Sequence, residues 1–170
     1  HSAKKIVCER LFLPYDGIAV TPQTNIDDVL QKLQTDKKYI VKVDQGVKKR
    51  FKKGLIVLDV NKNQIKIALD NLKSKGFEYF LIEELIPHDQ NEEKYLCLER
   101  ERDGITASVS TSGGIDIESN ADAMKKYLLD EDECKTAVEQ IGLNLKIIVA
   151  LKQIFDDCYL SFLEINPLIV

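Results

Sequence analysis

The order of strand and helix patterns constrains the fold of this chain more than any other feature of its sequence. Strand patterns at 93–101 and 105–110 follow each other directly and are joined by Arg102-Asp103-Gly104, which is a hairpin signal. Elsewhere, strand patterns alternate with apolar stripes at helical spacing. Strands that occur both as neighbours and between helices predict a mixed α+β domain with largely antiparallel pairing.

The predicted elements rest on two apolar periods, which are two residues for strands and 3.6 residues for helices. Strands are predicted at 18–20, 39–43, 55–60, 80–87, 93–101 and 105–110, and from about residue 159. Helices are predicted at 3–13, 26–35, 63–74, 120–128, 131–141 and 144–157. Asn25 is expected to cap the helix at 26–35 because its short side-chain oxygen can accept from the first main-chain N–H groups.

Composition excludes several classes of protein. With 44% hydrophobic and 31% charged residues, the chain can bury a core, and its net charge of −4 gives no sign of a nucleic-acid surface. No apolar run approaches the roughly 20 residues that span a bilayer, and no signal-peptide pattern is present. The four cysteines are scattered without metal-ligand spacing. They are typical of thiols in a reducing compartment, so we expect a cytoplasmic protein.

Two basic features point to an anion. Five of the six residues at 48–53 are basic within an acidic chain, which predicts either a local anion site or a solvated loop. Lys42 interrupts an apolar strand, and because desolvation of its charge alone is costly, it must either reach water or meet an anion. A phosphate ligand and a lysine on the solvent side of the strand remain equally compatible with this position.

Three further features are compatible with a nucleotide and a metal ion. The strand at 80–87 breaks at Pro87, where main-chain groups without ladder partners can bind a purine, and Glu93 can accept from ribose hydroxyls. Glu164 and Asn166 lie two residues apart on the last strand and are oxygen donors of the kind that Mg²⁺ prefers. An ordinary strand end and a pair of satisfied polar residues are the alternatives. No phosphate-binding loop of the GxxxxGK[ST] type and no GxGxxG is present.

Taken in order, these segments resemble the ATP-grasp domain of the ATP-citrate lyase and succinyl-CoA synthetase β-subunit family, and more closely that of the ATP-citrate lyases. The resemblance covers the chain from about residue 3 to its end. It is carried by VKVDQGVKKRFKKGL at 41–55, FLIEELIPHDQNEEKYLCL at 80–98 and YLSFLEINPLIV at 159–170, with a weaker match in SGGIDIESNADA at 112–123. It implies an α+β ATP-grasp domain over 1–170 with two lobes, a small one at roughly 20–76 and a larger one at 77–170, whose largely antiparallel sheets enclose ATP.

The resemblance also implies the roles of individual residues. It implies that Lys42, Lys49 and Arg50 bind the nucleotide phosphates and that the main chain of Glu84 and Ile86 contacts adenine. It also implies that Glu93 binds the ribose and that Asn166 is a ligand of Mg²⁺. No catalytic residue is expected in this chain. The family uses Mg-ATP to phosphorylate a carboxylate or a histidine carried elsewhere and then forms a thioester with coenzyme A. The expected partners are therefore a nucleotide and the remaining CoA-binding or CoA-ligase domains, or an alpha-type subunit, with no nucleic acid and no membrane.

The sequence departs from the family pattern at two positions. Phe51 stands where the family has glycine after its basic pair, and Ser112 stands where an acid normally precedes Gly-Gly. A degenerate grasp domain that acts as an interaction or assembly module is therefore an alternative, and a carboxylate–amine ligase is a weaker one. We expect the chain to be a piece of a longer protein that does not turn over alone. Neither the acid substrate nor the choice of ATP over GTP follows from the residues.

Overall fold

A computed structural model describes residues 1–114 and 124–170. By their internal contacts these residues form two compact units, His1–Pro87 and His88–Val170. The sequence places the lobe boundary near residue 76, but the strand Phe80–Glu84 pairs within the first sheet and is part of the first unit. The lobe bounds themselves stay a prediction.

The first unit contains a four-stranded antiparallel sheet and three helices. The strands are β1 (Ile18–Val20), β2 (Lys38–Val43), β3 (Ile56–Asn61) and β4 (Phe80–Glu84), and their order in the sheet is β1-β4-β2-β3. The helices are α1 (Ser2–Arg10), α2 (Ile26–Lys32) and α3 (Ile65–Ser74), the last preceded by a 3-10 turn at Lys62–Gln64. The predicted cap at Asn25 is confirmed, since its side chain accepts from the N–H of Asp27 at 3.0 Å.

The core of the first unit lies on one face of this sheet. Along β2 the side chains alternate, and Tyr39, Val41 and Val43 are buried. They form one cluster with residues of α2 and with Ile65 and Leu72 of α3. Lys38, Ile40 and Lys42 therefore project from the opposite face, as the two-residue period requires. α1 contributes no buried residue.

The second unit repeats the combination of an antiparallel sheet and helices. Its strands are β5 (Lys94–Glu101), β6 (Gly104–Ser110), β7 (Lys125–Leu128) and β8 (Phe162–Leu168), in the order β7-β6-β5-β8. α4 (Glu131–Ile141) and α5 (Leu145–Asp157) pack together, and α4 also contacts β6 and β7. The predicted hairpin of β5 and β6 is confirmed by a continuous register from Tyr95–Ser110 to Glu101–Gly104.

One predicted element is wrong where the structure describes it. Residues 124–128 were expected in a helix at 120–128, but Lys125–Leu128 is a strand that pairs with β6. Met124, Tyr127 and Leu128 have helical spacing in a short segment, and pairing with a neighbouring strand outweighs so weak a local preference. The rest of that helix, with Ala121, lies outside the described residues.

The predicted α+β class is confirmed, with two antiparallel sheets and five α-helices among the described residues. Element bounds differ by a few residues, as is usual for ends that fray. The strand expected at 80–87 ends at Glu84, the last strand begins at Phe162 rather than near 159, and α1 and α2 end at Arg10 and Lys32.

Candidate functional site

Lys42 lies next to a carboxylate of the neighbouring strand. Its Nζ atom forms an ion pair with Glu83 of β4, and its side chain is 21% exposed. The register pairs Lys42 with Leu81, so Glu83 lies one diagonal step away on the same face of the sheet. The lysine that interrupts the apolar strand thus meets an anion supplied by the protein and also reaches solvent.

Glu83 is shared by two lysines. Its Oε1 atom accepts from Lys4 Nζ of α1 at 2.7 Å, while Oε2 faces Lys42. The residue is only 8% exposed. Burial alone would raise the pKa of the Glu83 carboxyl, but the hydrogen bonds from Lys4 and Lys42 outweigh burial and hold this pKa below its usual value. Glu83 is therefore a carboxylate at neutral pH, and two cations surround it.

Tyr15 completes this group. The Lys4 ammonium lies 5.5 Å from the centre of the Tyr15 ring, within the range of a cation–π contact. The Tyr15 hydroxyl is buried and has no hydrogen-bond partner among the described residues. Burial, together with the charge of Glu83, raises the pKa of this hydroxyl well above its usual value, so Tyr15 stays neutral. We call Lys4, Tyr15, Lys42 and Glu83 the Glu83 cluster.

The basic loop between β2 and β3 is anchored at the end of β2. Arg50 donates through Nη1 to the carbonyl of Val43 at 2.6 Å, so its guanidinium binds the residue that follows Lys42. Lys49 is exposed and has a left-handed φ of 58°. Phe51 is 44% exposed, so it does not fill a core position. The predicted phosphate residues Lys42 and Arg50 thus lie at the same end of one strand.

The predicted adenine segment lies at the end of β4. The Glu84 carboxylate pairs with Lys37 Nζ at 2.6 Å, and the Leu85 N–H donates to the carbonyl of Lys38 at 2.8 Å. The Ile86 side chain is 70% exposed. Glu84 also lines a cavity of about 390 Å³. This cavity is on the face opposite Glu83, because neighbouring residues of a strand point to opposite faces.

In the second unit, Glu93 and Asn166 meet at one glycine. Asn166 accepts from the Gly114 N–H through Oδ1 at 2.6 Å and donates through Nδ2 to the Gly114 carbonyl at 3.0 Å. The Glu93 carboxylate lies against the same residue, since a Cβ atom at Gly114 would be 2.0 Å from Glu93 Oε2. Glu93 also pairs with His88 Nε2 at 3.1 Å. The ribose and metal residues of the prediction are therefore neighbours.

The two glycines next to Ser112 are required by this packing. A Cβ atom at Gly113 would lie 2.2 Å from the carbonyl oxygen of Lys94, and Gly114 has a φ of +86°, which favours glycine. The Gly113 N–H donates to the Glu93 carbonyl at 2.8 Å. The Gly113-Gly114 segment is thus held tightly against the start of β5 and against β8.

Asn166 and Glu164 provide part of the oxygen ligands that the predicted Mg²⁺ site requires. Asn166 Oδ1 accepts one hydrogen bond and keeps a second lone pair, and the exposed Glu164 carboxylate lies on the same face of β8. Mg²⁺ commonly takes one or two protein oxygens together with phosphates and water, so these residues fit such an ion. Among residues 1–114 and 124–170, no three His, Cys, Asp or Glu side chains are grouped to hold a metal.

The predicted site residues fall into two groups, one in each compact unit. Lys42, Lys49, Arg50, Glu84 and Ile86 lie in the first unit, and Glu93 and Asn166 lie in the second. Sequence reasoning missed Lys4 and Tyr15, and it gave Glu83 no role. Only the charge at Lys42 signalled that an anion had to be near. None of the helices in the described part of the chain is long and apolar enough to cross a bilayer.

Comparison with known proteins identifies relatives over most of the chain. ATP-citrate synthase of Mus musculus is 32% identical over 175 residues, which cover 89% of this chain and 16% of the relative. ATP-citrate synthase alpha chain protein 2 of Arabidopsis thaliana is 28% identical over 91% of this chain and 41% of its own length. The chain thus spans less than half of these curated relatives. No family profile matches it.

Solved structures show the same fold. ATP citrate lyase from Methanothrix soehngenii, in complex with citrate and coenzyme A, superposes with a TM-score of 0.76 at 23% identity, over 99% of this chain and 46% of that chain. A dinucleotide-forming acetyl-coenzyme A synthetase of Ca. Korarchaeum cryptofilum, in complex with coenzyme A and Mg-AMPPCP, gives a TM-score of 0.66 at 14% identity, over 99% and 84%. The resemblance to ATP-citrate lyases is therefore confirmed, and the fold is that of these enzymes.

Proposed function

We propose that this chain is the ATP-grasp part of an acid–CoA ligase or lyase and supplies Mg-ATP for phosphoryl transfer. The observation that carries this proposal is the homology to ATP-citrate synthases over 89% of the chain. The Mg-AMPPCP complex of a structural neighbour supports the choice of nucleotide and metal. The acid that becomes the thioester, citrate or succinate, stays open.

In this proposal the first unit binds the triphosphate. Lys42 and the neighbouring Arg50 present positive charge at one end of β2, and Lys49 extends it along the loop. Such cations stabilise the charge that develops on the transferring phosphoryl group, which is where catalysis of this kind gains most of its rate. The main chain at Glu84 and Ile86 binds adenine.

The second unit binds the ribose and the metal. Glu93 accepts from ribose hydroxyls, and its position against Gly114 restricts the rotamers of its side chain. Asn166 offers its remaining lone pair to Mg²⁺, and Glu164 stands two residues away on the same face. When bound, the ion shares the negative charge of the phosphate oxygens. Other domains or an alpha-type subunit would provide coenzyme A and the acid, and the four free thiols fit a reducing cytoplasm.

Isothermal titration of the chain with Mg-ATP and Mg-GTP tests this function. The wild-type chain should bind one of them, and Lys42→Met should weaken binding about 10- to 100-fold, the range expected for one hydrogen bond to a charged group. The matched control is Lys38→Met, because Lys38 lies on the same strand and face but pairs with Asp59 at 3.0 Å. The absence of heat and of a thermal shift at millimolar nucleotide would refute the proposal.

Phe51 supports a second candidate, an assembly module that has lost its nucleotide. Its side chain occupies the position where main chain must approach a phosphate closely, and at 44% exposure its removal opens no core cavity. If the site is degenerate because the Phe51 side chain blocks it, Phe51→Gly should raise the affinity for Mg-ATP at least about tenfold, which corresponds to about 1.4 kcal/mol. Equal affinities of the variant and the wild type would speak against this candidate.

A further inference from the structure

Lys4 and Lys42 bind opposite oxygens of one carboxylate. The Lys4 ammonium is 2.7 Å from Glu83 Oε1, and the Lys42 ammonium pairs with Oε2. The two lysines come from parts of the sequence that are far apart, since Lys4 lies on α1 and Lys42 on β2. The carboxylate thus brings two cations to one place on the face of the sheet from which Lys42 projects.

The Glu83 cluster carries a net positive charge. Within the cluster, two ammonium groups and one carboxylate sum to one positive charge, and the Tyr15 hydroxyl is neutral. The Asp44 carboxylate also lies near Tyr15, where the His1 ammonium pairs with it at 2.8 Å.

Glu83 is only 8% exposed, whereas the side chains of Lys42 and Lys4 are 21% and 57% exposed. The solvent-facing part of the cluster is therefore formed mainly by the two lysines. Such a cluster attracts an anion more strongly than the Lys42–Glu83 pair alone, which is neutral.

Lys4 has the capacity to bind a ligand. An ammonium group has three N–H donors, and Glu83 takes one of them. The cation–π contact with the Tyr15 ring holds the ammonium without using a donor. α1 buries no residue, and its start is held by polar contacts, which include the His1 ammonium with Asp44 at 2.8 Å and Lys4 with Glu83.

We propose that Lys4 is a second cation of the phosphate site, carried by the first helix, and that its ligand is the polyphosphate of the bound nucleotide. This inference rests on the proposed function, since it uses Lys42 as a phosphate ligand. The Lys4 ammonium attracts the phosphates directly, and it also neutralises the negative charge of Glu83 that would repel them. Removal of Lys4 therefore weakens phosphate binding in both ways.

Nucleotide titrations of Lys4→Met and Lys5→Met test the proposal. Lys5 is the matched control because it lies on the same helix with a similar exposure and pairs with Glu9 on α1 itself. At low salt, Lys4→Met should weaken Mg-ATP binding about three- to tenfold, as expected for one charge lost at a short distance in a partly solvated site. Lys5→Met should bind like the wild type. Lys4→Arg, which keeps the charge, should restore most of the affinity.

The number of phosphates separates a charge effect from a structural one. Lys4→Met should weaken binding of ATP more than of AMP, should leave adenosine binding unchanged, and should lose part of its effect in 0.5 M salt because screening weakens the attraction. Equal losses for ATP and adenosine, or an Mg-ATP affinity equal to that of Lys5→Met, would overturn the role of Lys4 alone. A wild-type chain that binds no Mg-ATP would overturn the proposed function and this inference with it.

Discussion

Substitution of the buried carboxylate that joins α1, β2 and β4 is the most direct test of the structure. Glu83→Gln keeps the size of the side chain but removes the charge that pairs with Lys4 and Lys42. In the Lys4 pair the lysine is 57% exposed and Glu83 only 9%, so we place its contribution at about 1 kcal/mol, the upper end of the range for surface pairs. The Lys42 pair is largely buried, and a hydrogen bond to a charged group contributes about 1.5–3 kcal/mol. Because Lys42 still reaches water, we expect Glu83→Gln to lower the free energy of unfolding by about 2 kcal/mol in total.

Urea and thermal unfolding, followed by circular dichroism, measure this loss. For a chain of this size, about 2 kcal/mol lowers the midpoint temperature by about 4–8 °C. The control is Glu9→Gln, which removes the exposed Lys5–Glu9 pair with its 3.7 Å separation and should change stability by less than about 0.5 kcal/mol. If the unfolding curves of Glu83→Gln and the wild type coincide at pH 7, the Glu83 carboxylate does not stabilise the fold.

The pH dependence gives an independent check. The pKa of Glu83 is lower in the folded chain than its usual value, so the carboxylate stabilises the fold above the unfolded pKa of about 4.3, and this stabilisation is lost as the pH falls through the folded pKa. The stability difference between the wild type and Glu83→Gln should therefore be full at pH 7 and shrink below about pH 4. A difference that grows on acidification would contradict the lowered pKa.

Three further predictions concern the second unit and the metal. Gly114→Ala should lower stability by about 1–2 kcal/mol from the left-handed backbone alone and more from the contact with Glu93, whereas Gly46→Ala, where a Cβ meets nothing within 4 Å, should be nearly neutral in the same urea titration. Arg100→Met should cost about 1–2 kcal/mol, because Arg100 pairs with Asp156 at 2.8 Å and stacks on an aromatic ring, and calorimetry measures the loss. If Mg²⁺ joins nucleotide and protein, removal of the ion with EDTA should reduce the titration heat of ATP, and readdition of Mg²⁺ should restore it.

Much of the local structure was predictable because it depends on periodicity. In α3 and α4 the apolar residues at helical spacing are the buried ones, since an amphipathic helix can turn only its apolar stripe to the core. In α5 the apolar stripe is buried at Ile148, Leu151, Ile154 and Phe155, and Ile147 is half-buried. The segment at 124–128 failed because strand pairing depends on the neighbour β6, which periodicity over a few residues does not reveal.

The candidate site was predictable only in part. The order of the motifs indicated the related family, and that likeness is confirmed, while the roles of Lys42, Arg50, Glu93 and Asn166 remain predictions. The contact of Glu93 and Asn166 at Gly114 joins residues that are distant in the chain, so no local pattern announces it.

The class of fold, the family likeness and most of the strand–helix order follow from the sequence alone, because periodicity, turn residues and motif order are properties of neighbouring residues; Lys125–Leu128 is the exception. Which charges meet depends on contacts between distant parts of the chain. Glu83 looks like any acid at a strand end, yet pairing of β4 with β2 buries it beside Lys42, and α1 brings Lys4 to its other oxygen. Electrostatic energy depends on the distance between charges in space and on their burial. Neither quantity can be obtained from the order of the residues alone.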